Sequence, residues 1–299
     1  MGRRYQIYDV FTDRVLSGNP LAIVLDAEGL DTARMQAIAR EFNLSQTAFV
    51  LEADNPAYSA RVRIFTPAAE LPFAGHPTVG TAICLASERF GDTASGQDAV
   101  VVLEEGVGPV RCGVRLKAGS GFAEFDLPRL PENLGLAKPK GILAAALGLE
   151  PADITFENHT ASIWSAGNPF QFVPVRNGGV LAAAYPARES WAEAFGDDSA
   201  FLYTRDVEGH DHDFRARMFA PMSGIEEDPA TGSAAAAFAG LVQQFDDHPD
   251  GEHLILIEQG DDMGRPSVIR LDMTVKNGAL EAARIGGHAV RVAEGILFV

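Results

Sequence analysis

Hydrophobic and polar positions alternate along most of this chain, in short runs closed by turn-forming residues, which is the pattern of half-buried strands. In the first half it predicts strands over Tyr5–Phe11, Leu21–Leu25, Thr47–Leu51, Ala60–Phe65, Val100–Glu104, Val110–Lys117 and Phe122–Asp126. In the second half it predicts them over Ser162–Ser165, Phe170–Val175, Phe201–Tyr203, Phe214–Phe219, Leu254–Glu258, Ser267–Asp272, Leu280–Arg284 and Ala289–Val292, before a last one at Gly295–Val299. Two stretches, Pro77–Phe90 and Pro229–Gln244, are apolar on almost every side, so each is expected to be a helix buried within its half. Asp31–Phe42 has ordinary helical spacing, with Ala37, Ile38 and Phe42 as candidate face residues. A further helix is expected near Ile142–Leu149, after the prolines at 128, 131 and 139.

The two halves also repeat each other's words. Gly18-Asn19-Pro20 returns as Gly167-Asn168-Pro169, at an offset of 149. Arg61-Val62-Arg63-Ile64-Phe65-Thr66-Pro67 returns as Arg215-Ala216-Arg217-Met218-Phe219-Ala220-Pro221, at 154. His76-Pro77-Thr78-Val79-Gly80-Thr81-Ala82 matches Asp228-Pro229-Ala230-Thr231-Gly232-Ser233-Ala234, at 152. Three matches in one order at nearly one offset predict a duplicated fold. The expected domains are residues 1–127 and 128–299, each made of short strands around one central helix, with the last strand, 288–299, able to return to the first.

Composition narrows the class. The chain has 299 residues, 46% of them hydrophobic, enough for two ordinary cores. Its 24 basic against 41 acidic residues give a formal charge of −17, which argues against a nucleic-acid partner. No apolar run is long enough to span a bilayer, and Arg3 and Arg4 lead into Tyr5, Gln6 and Asp9 instead of a signal-peptide core, so no membrane partner and a cytoplasmic location are expected. The two cysteines, Cys84 and Cys112, make neither a disulfide framework nor a zinc site, and Cys84 sits in an apolar run as a buried thiol. His210 and His212 flank Asp211 in an acidic turn, and no motif implies a metal or an organic cofactor.

The chemistry is expected at the starts of the two apolar helices. Asp228 reads as an N-cap followed by Pro at the first helical position, with His76 in the equivalent place. Gly80 and Gly232 cost ~1 kcal/mol each in helix interiors, so their matched positions suggest close approach of another group. Two pseudosymmetric halves are expected to bring both helix N-termini to one cleft, where unpaired N–H groups and positive dipole ends suit a carboxylate. His76 and Asp228 would then lie on opposite faces of a bound carbon acid, ready for proton transfer.

These residues resemble the PhzF-like family, the isomerases named for phenazine biosynthesis, within the diaminopimelate epimerase-like fold. The likeness runs through Asp9-Val10-Phe11-Thr12, Gly18-Asn19-Pro20, Asn43-Leu44-Ser45, Phe65-Thr66-Pro67, Glu70-Leu71-Pro72-Phe73-Ala74-Gly75-His76-Pro77-Thr78 and Glu227-Asp228-Pro229-Ala230-Thr231-Gly232-Ser233-Ala234. It implies an α+β fold of two similar domains, each a barrel-like, mostly antiparallel sheet around a central helix, and a homodimer. It implies a cofactor-independent proton shift on a small, cyclic, carboxylate-bearing substrate, the family reaction being isomerisation of trans-2,3-dihydro-3-hydroxyanthranilate. Carried onto this chain, the catalytic set is Gln46, His76, Asp228 and Ser233, and the substrate-binding set Asn19, Gly75, Thr78, Thr231 and Gly232.

One position departs from that pattern. The family's Asn-Leu-Ser-Glu-Thr is Asn43-Leu44-Ser45-Gln46-Thr47 here, so an amide stands where the resemblance implies a proton-shuttling carboxylate. An amide can hydrogen-bond but has no useful basicity. Three readings stay open: another isomerase or a related lyase using His76 and Asp228, the family reaction with a different base, and a non-catalytic small-acid-binding or interaction protein on an inactive isomerase scaffold. Glu41, five residues back, is expected to point outward, and Glu226 and Glu227 to frame the loop before Asp228.

Overall fold

A computed structural model describes residues 2–91 and 96–299. The chain forms two compact units, Met1–Pro128 with Gly286–Val299, and Arg129–Ile285.

The first unit contains β1 (Gly2–Val10), β2 (Asn19–Val24), α1 (Thr32–Phe42), β3 (Gln46–Leu51), β4 (Ala60–Phe65), the short β5 (Glu70–Leu71), α2 (Gly75–Phe90), β6 (Gln97–Glu105), β7 (Gly108–Lys117) and β8 (Ser120–Asp126). β1 pairs antiparallel with β2, β2 parallel with β3, β3 antiparallel with β4, and β4 parallel with β6. Antiparallel β6–β7 and β7–β8 pairs follow, and the final strand, β17 (Ala279–Phe298), lies between β8 and β1. Eight strands thereby close into a barrel, which leaves no unpaired edge. α2 runs through it, in contact with β1, β2, β3, β6, β7 and β8. That explains the all-round apolar composition of α2, whose residues from Gly75 to Cys84 are all buried.

Gly80 is the clearest packing requirement in this core. A Cβ there would lie 2.6 Å from a Leu21 methyl and 2.8 Å from a Val10 methyl, so the close approach expected of Gly80 is that of the barrel wall. Gly80→Ala gains ~1 kcal/mol of helix propensity but meets an overpacking cost of ~1–3 kcal/mol, because Val10 is β-branched and fully enclosed. The expected result is a Tm lower by a few degrees, read by calorimetry. A stabilised variant would show that the wall yields freely.

α1 lies outside the barrel, with Asp31 capping it through the Arg34 amide. It buries Met35, Ile38 and Ala39 against Val24, Phe49 and Phe65. Ala37, expected on that face, is exposed; the buried stripe is rotated by a residue or two.

The second unit contains β9 (Glu132–Leu136), α3 (Lys140–Leu147), β10 (Ser162–Ser165), β11 (Pro169–Pro174), α4 (Gly178–Ala183), α5 (Arg188–Ala194), β12 (Ser199–Thr204), β13 (Phe214–Ala220), β14 (Ile225–Asp228), α6 (Gly232–Asp246), β15 (Gly251–Gln259) and β16 (Ser267–Lys276), before β17 begins. Its pairings repeat those of the first unit: β9–β10 and β10–β11 antiparallel, β11–β12 parallel, β12–β13 antiparallel, β13–β15 parallel and β15–β16 antiparallel. α6 is the counterpart of α2, and its Phe238 ring sits 4.8–5.7 Å from the rings of Phe172, Phe201, Tyr203 and Phe214.

The fold class is α+β, as expected. At the end of the chain the strand boundaries differ: the three strands expected at Leu280–Arg284, Ala289–Val292 and Gly295–Val299 form one strand, β17, which ends at Phe298. The intervening Gly286 and Gly287 do not turn the chain. They stay extended and make room for aromatic rings, Phe122 against Gly286 and Phe11 against Gly287.

Candidate active site at the central helix starts

In the first unit, the parallel pairing of β2 with β3 sets their N-terminal ends side by side, with Leu21 opposite Gln46. Asn19, the first residue of β2, is fully buried, and its side-chain amide Nδ2 lies 3.2 Å from Nδ1 of His76. His76 is the second residue of α2; the cap position belongs to Ala74, which has no side-chain bond to give. The helix thus starts two residues before the expected Pro77, and His76 is held inside the first turn instead of capping it. The His76 ring is buried, which pulls its pKa down to about 3, so it is neutral near pH 7. An amide N–H can only donate. Nδ1 therefore accepts from Asn19, and the ring proton sits on Nε2, a buried atom with no hydrogen-bond partner among the described residues. Oε1 of Gln46 is likewise buried without a partner.

Thr78 faces elsewhere. Its hydroxyl lies 2.8 Å from the Ala74 carbonyl and 2.9 Å from Oε1 of Glu105, the last residue of β6. One hydroxyl hydrogen cannot serve two acceptors. Burial pushes the Glu105 carboxyl up to about 8, so at neutral pH it is an acid that donates to Thr78, which in turn donates to Ala74. Thr78 therefore fastens the start of α2 from within.

The linkage is testable. Between the ordinary carboxyl value of 4.5 and about 8, only the folded state keeps the Glu105 proton, so this contribution to stability is lost as pH rises through that window. His76 acts at the other end, where stability is lost as pH falls from 6.5 toward about 3, because only the unfolded state takes up the proton. Glu105→Gln is expected to flatten the decline on the alkaline side, measured as denaturation midpoints across pH 5 to 8. An unchanged slope in that variant would contradict the assignment.

In the second unit, Asp228 is the last residue of β14 and is buried. Thr231, not Asp228, takes the cap position of α6, whose first residue is Gly232. Pro229 and Ala230 form the bend between them, so the helix starts three residues later than expected. The cause is local: the Thr231 hydroxyl donates to Oδ2 of Asp228 at 2.7 Å, and its N–H is taken by Oε1 of Gln259 at 3.0 Å. Gly232 is thus a first-turn residue, and the cost of an interior glycine does not apply to it. Its N–H, with those of the partly exposed Ser233 and Ala234, has no intrahelical acceptor.

The three carboxylates named above, Glu41, Glu226 and Glu227, are each engaged or exposed elsewhere. Glu41 is exposed. Glu227 is gripped by Arg217, whose Nε and Nη2 meet its two oxygens at 2.7 and 2.8 Å while Nη1 donates to the carbonyls of Leu181, Ala182 and Ala184. Glu226 is exposed and faces Arg188. The thiols are equally unsuited: both are buried, Cys84 is pushed up to about 12, and burial raises Cys112 further. His210 is exposed, and His212 turns onto Glu258 at 2.6 Å. Among the described residues, Glu157, His159 and Asp246 are close enough to hold a cation. Arg205 already reaches both carboxylates, so the group is a closed ion-pair network.

Comparison with known proteins fits this architecture. The family model described as phenazine biosynthesis-like protein matches residues 8–295, and the chain belongs to that family. It is 53% identical over 310 residues to an isomerase of Mesorhizobium japonicum, covering 99% of each chain. It is 34% identical over 292 residues, 98% of each chain, to the trans-2,3-dihydro-3-hydroxyanthranilate isomerase of Pseudomonas aeruginosa. The crystal structure of a Bacillus anthracis phenazine biosynthesis protein of the PhzF family superposes with a TM-score of 0.88 at 28% identity, over 100% of both chains. The fold is accordingly the diaminopimelate epimerase-like one, and the protein is an isomerase of this family. None of its described helices is long and apolar enough to cross a membrane.

Proposed function

We propose that the protein isomerises a small, cyclic, carboxylate-bearing metabolite by moving a proton. Asp228, an acceptor for the Thr231 hydroxyl beside the positive end of α6, takes the proton from one carbon and returns it to another as the double bond moves. The neutral His76 ring supplies its Nε2–H to the site where negative charge develops, and Asn19 keeps that proton on Nε2. Gln46 orients the substrate through its amide. Ser233, with the first-turn N–H groups of α6, holds the carboxylate. The observation that carries this reading is His76 itself, a buried imidazole bonded to Asn19 at Nδ1, with its Nε2 unpartnered among the described residues.

The test is proton NMR of small cyclic acids in deuterated buffer, with trans-2,3-dihydro-3-hydroxyanthranilate among them because the Pseudomonas aeruginosa relative is named for it. Exchange of one carbon-bound proton for deuterium, with rearrangement of a double bond, is the expected result. Binding without any exchange would instead support a non-catalytic acid binder.

A further inference from the structure

The last residue of β15, Gln259, has no exposed surface and is wholly occupied with the segment that carries Asp228. Its Nε2 donates to the Asp228 carbonyl at 2.7 Å and to the Thr231 hydroxyl at 3.0 Å, and its Oε1 accepts from the Thr231 N–H. These bonds have a direction. Nε2 can only donate, so the Thr231 oxygen must accept, and the single Thr231 hydrogen is left for Oδ2 of Asp228. Gly260 lets the strand end come this close, since a Cβ there would lie 2.6 Å from the Pro229 carbonyl.

The first unit has the same device. Glu105 also ends a nine-residue strand, also precedes a glycine, and also meets a threonine at the start of the central helix. A Cβ on that glycine, Gly106, would lie 2.8 Å from Pro72, just as Gly260 presses on Pro229. The repeated use of one strand end to fasten one helix start marks it as a working part of the architecture. In the second unit the fastening runs one bond further, into a carboxylate.

We propose that Gln259 is the positioning residue for Asp228, setting the Thr231 hydroxyl so that it donates to the carboxylate and holds it as a proton acceptor. Its bearing on turnover rests on the role given to Asp228 above, whereas its effect on the carboxylate does not. The experiment therefore follows the Asp228 carboxyl by carbon-13 NMR titration in the full-length protein with labelled aspartate, alongside kcat and KM. Gln259→Met, Thr231→Val and the double variant are compared with the native protein, and Thr231→Ser serves as the conservative control.

Each single change is expected to move the Asp228 midpoint upward by about one pH unit, the loss of one hydrogen bond to a charged group. The double variant is expected to move it no further, because both changes break one chain. Thr231→Ser keeps the native midpoint. If Gln259→Met proves too unstable to titrate, Thr231→Val and Thr231→Ser still read the chain. A native midpoint in a folded Gln259→Met protein, or in Thr231→Val, overturns the proposal, as does full additivity in the double variant. A shifted midpoint with kcat unchanged would support the positioning role and remove Asp228 from the chemistry.

Discussion

Gln46→Glu is expected to raise turnover of trans-2,3-dihydro-3-hydroxyanthranilate by ~10²–10⁴, the contribution of one well-placed general acid–base group. The change is nearly isosteric, so the barrel end that holds residue 46 has no reason to move. Gln46 is only 9% exposed, and its Oε1 has no hydrogen-bond partner among the described residues. The carboxyl of a glutamate there would be partly desolvated, and desolvation raises a carboxyl pKa toward the range useful for exchanging protons near neutrality. The measurement is the initial rate of deuterium incorporation for native and variant protein side by side. An inert variant that still folds would mean that the pocket no longer accepts that acid.

The second large effect is expected at Asp228. Asp228→Asn keeps the size of the side chain and an oxygen for the Thr231 hydroxyl, but removes the basicity. A fall of ~10²–10⁴ in kcat with little change in KM is predicted, since the lost interaction belongs to the transition state. Steady-state kinetics on whichever acid shows exchange will decide it. A rise in KM at constant kcat would recast Asp228 as a binding residue.

Most of the fold was legible because the barrels are built from half-buried strands, whose alternation survives in the sequence. Ala60–Phe65 and Ser162–Ser165 have the predicted bounds. β9 escaped because all five of its residues are exposed, which leaves no pattern to read. The pairing order explains why the repeated words recur: Arg63 meets Glu70 as Arg217 meets Glu227, each tying a strand to the short hairpin before the central helix.

Asn19, Gln46, His76 and Asp228 were visible as motif residues, and the structure adds their partners. Glu105 and Gln259 were missed, although a signal existed. Glu104-Glu105-Gly106 and Glu258-Gln259-Gly260 recur at the same offset of 154 as the arginine strands. Comparing apolar words hides that match, because an acid and an amide look unlike until burial makes the acid neutral. The start of α6 was misplaced for a related reason. Pro at a first helical position is only a propensity, and the Gln259 bond to the Thr231 amide ends the competition in favour of a later start.

The most direct test of the central claim is solvent deuterium exchange into the bound acid by native protein, His76→Ala and Asp228→Ala, run under saturating ligand. The account predicts exchange in the native protein and its loss in both variants, although one residue belongs to each unit. Undiminished exchange in Asp228→Ala, or tight binding with no exchange in the native protein, would contradict it.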